Sequence, residues 1–226
     1  PPLKQKQTID QMNKVGLDSL LIVFLCSLFT GIVLVLQSAY QLQRLGAKEF
    51  IAPLVALSMC RELGPVFTAL IIAGRSGASI SAELGTMKVT EQIDALQTMA
   101  ANPIKYLVCP RFVALLTMVP ILTIYANFIG IFGGYMVAVW KLGVSSTMYI
   151  TSTVEALALK DVFSGLFKSA VFGIIICIVS CFQGMNAEGG AEGVGKATTS
   201  AVVTSFILII AADCLCDLMG LDTISA

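Results

Sequence analysis

RELGPVFTALIIAGRSGASISAELGTMKVTEQIDALQTMAANPIKYLVCPR (61–111) decides how the chain is read. Its first two residues, Arg61 and Glu62, fall near the middle of an apolar run from Ala52 to Gly74. That run is long enough to cross a bilayer, which takes about 20 helical residues. Charges at such depth are expensive and normally face a bundle interior or a wet cavity. Neighbouring side chains on an α-helix point about 100° apart, so Arg61 and Glu62 cannot simply pair with each other. They need partners elsewhere, in this chain or in another copy. One reading is a structural ion pair that locks two helices. The preferred one is a polar patch lining a pathway for a charged or amphipathic substrate. Pro65 removes a backbone hydrogen bond inside the same run and predicts a kinked helix.

Residues 75–110 are too polar to be a simple span. Within them Val89, Ile93, Leu96 and Ala100 recur at helical spacing, with Glu91, Asp94 and Gln97 on other faces. This predicts a short amphipathic helix over 89–100, ended by Asn102-Pro103. Its acidic residues disfavour an anionic membrane surface and favour docking to a soluble partner. Between the charged pair and this helix lies a glycine- and serine-rich link, 74–87.

Outside this stretch the chain is mostly apolar. It is 57% hydrophobic and 12% charged, against roughly 45–50% and 25% in soluble domains. Further apolar runs at 17–36, 112–140, 162–183 and 198–219 complete an all-α integral membrane protein with five transmembrane helices. The run 112–140 carries no charge and contains Gly130-x-x-x-Gly134, a spacing that lets helices approach closely. The links 37–50, 141–161 and 184–197 read as a solvent-facing turn, a mixed loop and a flexible glycine-rich loop. With Lys4, Lys6 and Lys14 before the first span, the N-terminus is expected in the cytoplasm. The inner segments would then hold these three with Arg75, Lys88, Lys105, Arg111 and Lys196. The outer ones would hold Arg44, Lys48, Lys141, Lys160 and Lys168. PPLKQKQ (1–7) is too polar for a signal peptide and reads as a cut edge.

Several functions are disfavoured. Lys/Arg and Asp/Glu both number 14, so no basic surface suggests nucleic acid. The absence of histidine removes Ser-His and Cys-His nucleophile pairs and histidine metal sites. The seven cysteines lie in or beside apolar runs and are expected to be reduced core residues. GAEGVGKA (190–197) nearly matches a phosphate-binding loop but has Ala197 where the metal-binding hydroxyl belongs. Asp213 and Asp217, one turn apart, suit a helix end better than an aspartyl dyad or a metal site. Lys168 reads equally well as a snorkelling lysine and as a contact for a lipid headgroup.

Taken together, RELGP, AGRSG (73–77), AELGTM (82–87), TEQIDAL (90–96) and NPIKYLVCPR (102–111) resemble the MlaE-type permease family of ABC lipid transporters. That family also includes the chloroplast permease for trigalactosyldiacylglycerol-pathway lipids. GIFGGY (130–135) and GVGKATTSAVV (193–203) extend the resemblance over nearly the whole chain, 1–226, read as one permease domain. The resemblance implies a homodimer that moves phospholipids between the inner membrane and the outer envelope without a catalytic site or cofactor of its own. ATP-Mg would be held by a cytoplasmic ABC ATPase bound to each copy. A ring of MCE-domain proteins on the outer side and a small regulatory subunit on the ATPase complete the implied partners. The location would be the bacterial inner membrane, or the plastid inner envelope.

Residue by residue, the resemblance places Arg61 and Glu62 in a lipid pocket at the dimer interface, Lys168 near its outer mouth and Leu45 at its wall. Leu45 stands where some relatives have an aromatic residue. The helix between spans two and three becomes the coupling helix, with Lys88, Glu91, Gln92, Asp94 and Leu96 toward the ATPase. It also implies an N-terminal interfacial helix, of which most is missing here. The rival functions are an ion-coupled secondary transporter with Glu62 as the protonatable group, and a non-transporting membrane scaffold.

Overall fold

The computed structural model describes residues 5–44, 46–100 and 102–219, and every regular element among them is a helix. In chain order these are α1 (Gln5–Val15), α2 (Leu20–Arg44), α3 (Ile51–Ser58), α4 (Gly64–Ile72), α5 (Ala78–Val89) and α6 (Gln92–Thr98). They continue with α7 (Cys109–Trp140), α8 (Ser146–Ala156), α9 (Leu159–Met185) and α10 (Gly190–Leu218). Among the described residues, five continuous helical stretches are long and apolar enough to cross a membrane: Gln5–Arg44, Lys48–Val89, Ile104–Trp140, Leu159–Met185 and Gly190–Leu218. The protein is a multi-pass membrane protein.

Three wide, π-helical turns interrupt this pattern, at Met59–Leu63, Ala73–Gly77 and Ile104–Val108. Such turns are rare and often mark functional positions. Two have a local cause in proline. Pro65 has no N–H for the carbonyl of Arg61, and its ring crowds that carbonyl. An extra residue in the turn relieves the crowding, and the Gly64 N–H reaches back to Met59 instead. Pro110 follows the turn at 104–108 in the same way, closed by the Cys109 N–H on Ile104. The turn at 73–77 contains Gly74 and Gly77 and closes with the Ala78 N–H on Ala73. The disturbance expected at Pro65 is therefore a widened turn within a continuous helix.

Two links expected to be loops are helical. Residues 146–156 form α8, which buries Tyr149 and Thr153, one helical turn apart. The abundance of Ser and Thr there hid the helical period. In 184–197 the loop is confined to a few residues, because Gly189 and Gly190 turn the chain at φ 88° and 71° and α10 begins at once. Glu192 and Lys196 then pair across one exposed helical turn at 2.7 Å. The segment 190–197 is thus helix rather than a flexible loop.

The contacts fall into two compact units. One contains residues 5–19, 69–120 and 170–215, with Val15, Ile72, Leu84, Leu115, Phe172 and Ile176 fully buried. A Cβ at Gly173 would lie 2.9 Å from the carbonyl oxygen of Leu115, so glycine lets α9 rest on α7 backbone there. The other contains residues 20–68, 121–169 and 216–219, around a cluster of Val35, Ile51, Val55, Met59, Ala138 and Tyr149. In lipid no hydrophobic force drives helices together, so close packing of small residues does most of the work. Gly130 and Gly134 serve this end, Gly130 against Met59 and the Ser27 carbonyl, Gly134 against Val35, Val55 and Tyr149.

Candidate functional site

Within the second unit, the wide turn at 59–63 aims the adjacent residues Arg61 and Glu62 at two points on one face of α9. Arg61 Nε lies 3.8 Å from Asp161 Oδ1, and Lys168 Nζ donates to Glu62 Oε1 at 2.7 Å. Asp161 and Lys168 are seven residues apart, two helical turns, and so share a face. Gly165 lies between them, and a side chain there would fall on the Cys60 carbonyl and close to the Pro65 ring. Its bareness allows α9 to lie directly on the charged turn.

Lys168 is the anchor of the group. Its side chain is 0% exposed and is also paired with Asp217, near the end of α10. A snorkelling lysine keeps its ammonium in water, so that reading is overturned. Asp217 does lie at a helix end, as expected, and from there it also pairs with Lys168. Glu62 and Arg61 expose about a third of their side chains, 36% and 32%, while their α9 partners hold them in place. The arrangement holds a guanidinium and a carboxylate against one helix, each paired with α9 and each part-exposed. Such a pair can meet a ligand that carries opposite charges, because charge-assisted bonds gain strength away from bulk water. Leu45 lies outside the described residues.

The same unit also holds an apolar cavity of about 500 Å³ between α7 and α8, lined by Phe128, Phe132, Tyr135, Tyr149, Ile150 and Val154. Tyr135 and Tyr149 meet edge to face at 5.6 Å, and the Tyr135 hydroxyl shares a 2.7 Å hydrogen bond with Ser146. Burial pushes the Tyr149 phenol up to about 12, so it remains neutral. These mostly apolar walls could accept hydrocarbon.

Between the second and third spans the expected helix over 89–100 is real but shorter: Val89 ends α5, Thr90 and Glu91 form a turn, and α6 runs over Gln92–Thr98. Glu91 and Ala100, both at φ 58°, bracket α6. Asn102 accepts from the Ile104 N–H at 3.0 Å and so caps the next helix, with Pro103 in a favoured first position. Ile93 is buried, and Lys88 pairs with Asp94 at 3.1 Å across the turn. Glu91 and Gln92 are exposed, whereas Leu96 is half-buried. Five residues expected to face a partner therefore divide. Lys88 and Asp94 hold the turn to each other, and Glu91 and Gln92 present its open surface. A left-handed glutamate costs roughly 1–2 kcal/mol. Glu91→Gly should accordingly raise stability by about 1 kcal/mol in thermal unfolding, and a lowered midpoint would contradict the strained turn.

Asp161 and Gly165 escaped sequence reasoning, and so did the pairing of Asp217 with Lys168. The spacing Asp161, Gly165, Lys168 on a single apolar helix could have shown the first two. Nothing local could have shown the pairing.

The model of the family described as Permease MlaE matches residues 8–219. The chain is 52% identical to a probable ABC transporter permease protein of Rickettsia typhi, over 93% of this chain and 81% of that protein. It is 44% identical to a probable ABC transporter permease protein of Synechocystis, over 92% and 79%. It is also 39% identical to the chloroplastic protein trigalactosyldiacylglycerol 1 of Arabidopsis thaliana, over 92% of this chain and 59% of that protein.

Proposed function

The chain belongs to the MlaE permease family of ABC transporters, and from that premise we propose that it forms the lipid pathway for phospholipid movement between an inner membrane and the outer envelope. The observation that carries this reading is the pairing of Arg61 and Glu62 with α9, which holds two opposite charges part-exposed in a span. A headgroup meets these charges, and acyl chains lie on apolar walls. A relative named for a galactosylated diacylglycerol supports a lipid cargo.

Two copies of the chain enclose the pocket, and each carries a cytoplasmic ATPase on α6, with Glu91 and Gln92 at the contact. ATP binding and hydrolysis occur on that partner, ATP-Mg is its cofactor, and this chain catalyses no covalent step. Rings of MCE-domain protein receive or deliver lipid on the outer side. Displacement of α6 passes along α5 and the glycine-containing turn at 73–77 toward α4 and the charged turn.

Mass spectrometry of the gently purified complex tests substrate and partners together. Phospholipid, an ABC ATPase and an MCE-domain protein should co-purify with the chain. Recovery of the chain alone, free of lipid and ATPase, would reject the reading.

A further inference from the structure

The two arms that carry α6 are joined at their base. Glu83 in α5 and Arg111 in the first turn of α7 bracket the segment that contains it, and Arg111 Nη2 donates to Glu83 Oε2 at 2.8 Å. Arg111 is only 4% exposed. Its Nη1 donates to the Leu107 carbonyl at 2.7 Å, inside the wide turn at 104–108. The same guanidinium thus grips both arms, α5 through Glu83 and the wide turn through its backbone. Lys14 of α1 lies 3.5 Å from the other Glu83 oxygen and adds a third support.

The pair is half-buried, with Glu83 40% exposed. Such an ion pair is a poor choice if stability alone is wanted, since apolar packing of equal volume often holds helices as well or better. What a forked guanidinium supplies is fixed geometry between two segments. α6 needs such a fixed base. It is seven residues long, it is held by Ile93 and by the Lys88–Asp94 pair, and a left-handed residue lies at each corner. A push on α6 would spread or twist its two arms separately unless something joined them.

We propose that the Glu83–Arg111 pair is a clasp that makes α6 and its two arms move as one body, so that Arg111 is a positioning residue for energy coupling. The coupling role rests on the reading that α6 docks an ATPase; the clasp itself does not.

Hydrogen exchange on the full-length chain in lipid nanodiscs tests the clasp without any transport assay. Arg111→Gln should speed exchange of amides in 90–100 by about tenfold, leaving 121–140 unchanged, because the opening is local. Arg111→Lys can keep the charge pair but not the fork, and should give a smaller rise. Glu83→Gln should behave as Arg111→Gln does, which guards against a folding defect peculiar to one variant. In the complex with the ATPase, Arg111→Gln should retain ATP hydrolysis and move about tenfold less lipid per ATP, with partial recovery in Arg111→Lys. Unchanged exchange in 90–100 for both Arg111→Gln and Glu83→Gln overturns the clasp. So does a uniform rise that includes 121–140 in both. A local rise with no ATP-driven transport in the unmodified complex upholds the clasp and rejects the functional reading instead.

Discussion

Replacing Lys168 by methionine should destabilise the protein by about 3 kcal/mol and stop lipid movement. The side chain is fully buried, and it pairs with Glu62 and Asp217 at once. Its removal leaves two carboxylates facing each other around an apolar group. Breaking a buried pair by removing one partner typically costs 3–5 kcal/mol. The lower end applies here, because Glu62 and Asp217 are 36% and 42% exposed and can regain some solvation. For a chain of this size that corresponds to a fall of about 6–12 °C in the thermal midpoint.

Companion variants separate stability from function. Glu62→Gln alone should cost only about 1 kcal/mol, since Asp217 still holds the ammonium. Lys168→Met combined with Glu62→Gln and Asp217→Asn removes every charge of the triad, and should recover most of the lost stability. It should not recover transport, because the headgroup loses the Glu62 carboxylate and is left with Arg61 alone. A triple variant as unstable as Lys168→Met would show that the ion triad is not the cause.

Gly165→Val should be nearly as damaging, although it changes no charge. Its Cβ would land on the Cys60 carbonyl, and the Pro65 ring would stand 3.2 Å away. Neither group can swing aside, since one is backbone of the wide turn and the other a proline. α9 would have to retreat. Overpacking of this kind costs about 1–3 kcal/mol. The retreat would also stretch both the Arg61–Asp161 and Lys168–Glu62 pairs, so lipid movement should fall with stability. Gly195→Ala serves as the control, because Gly195 has nothing within 4 Å. It should be neutral or stabilise α10 by about 1 kcal/mol. Equal damage from both substitutions would mean that glycine itself, not the close approach of α9, is what matters.

The legible parts of the fold were those fixed by local composition. Five apolar runs became five spans, Gly130 and Gly134 took up helix contacts, and Arg61 and Glu62 stood out because charge is rare at membrane depth. Their divergence was also legible, from helical geometry alone. What could not be read depended on distant residues. Lys168 and Glu62 are separated by 106 positions, and no periodicity links them. The wide turns were hidden for another reason. Proline announces a missing hydrogen bond, but whether the helix kinks or admits an extra residue depends on what packs there, in this case Gly64 against Asn127. At α8 and the start of α10, polar and glycine-rich sequence outweighed a helical period that tertiary packing later enforced.

ATP-driven lipid transfer by the reconstituted complex, measured for Arg61→Ala and Glu62→Ala with bound lipid counted in the same samples, tests the lipid-pocket assignment most directly. Both variants should fold, retain the ATPase, carry less lipid and transfer it at least about tenfold more slowly, the loss expected when a charge-assisted contact worth about 1.5–3 kcal/mol is removed. Unchanged transfer and unchanged lipid occupancy in both would contradict the assignment of Arg61 and Glu62 to the lipid pathway.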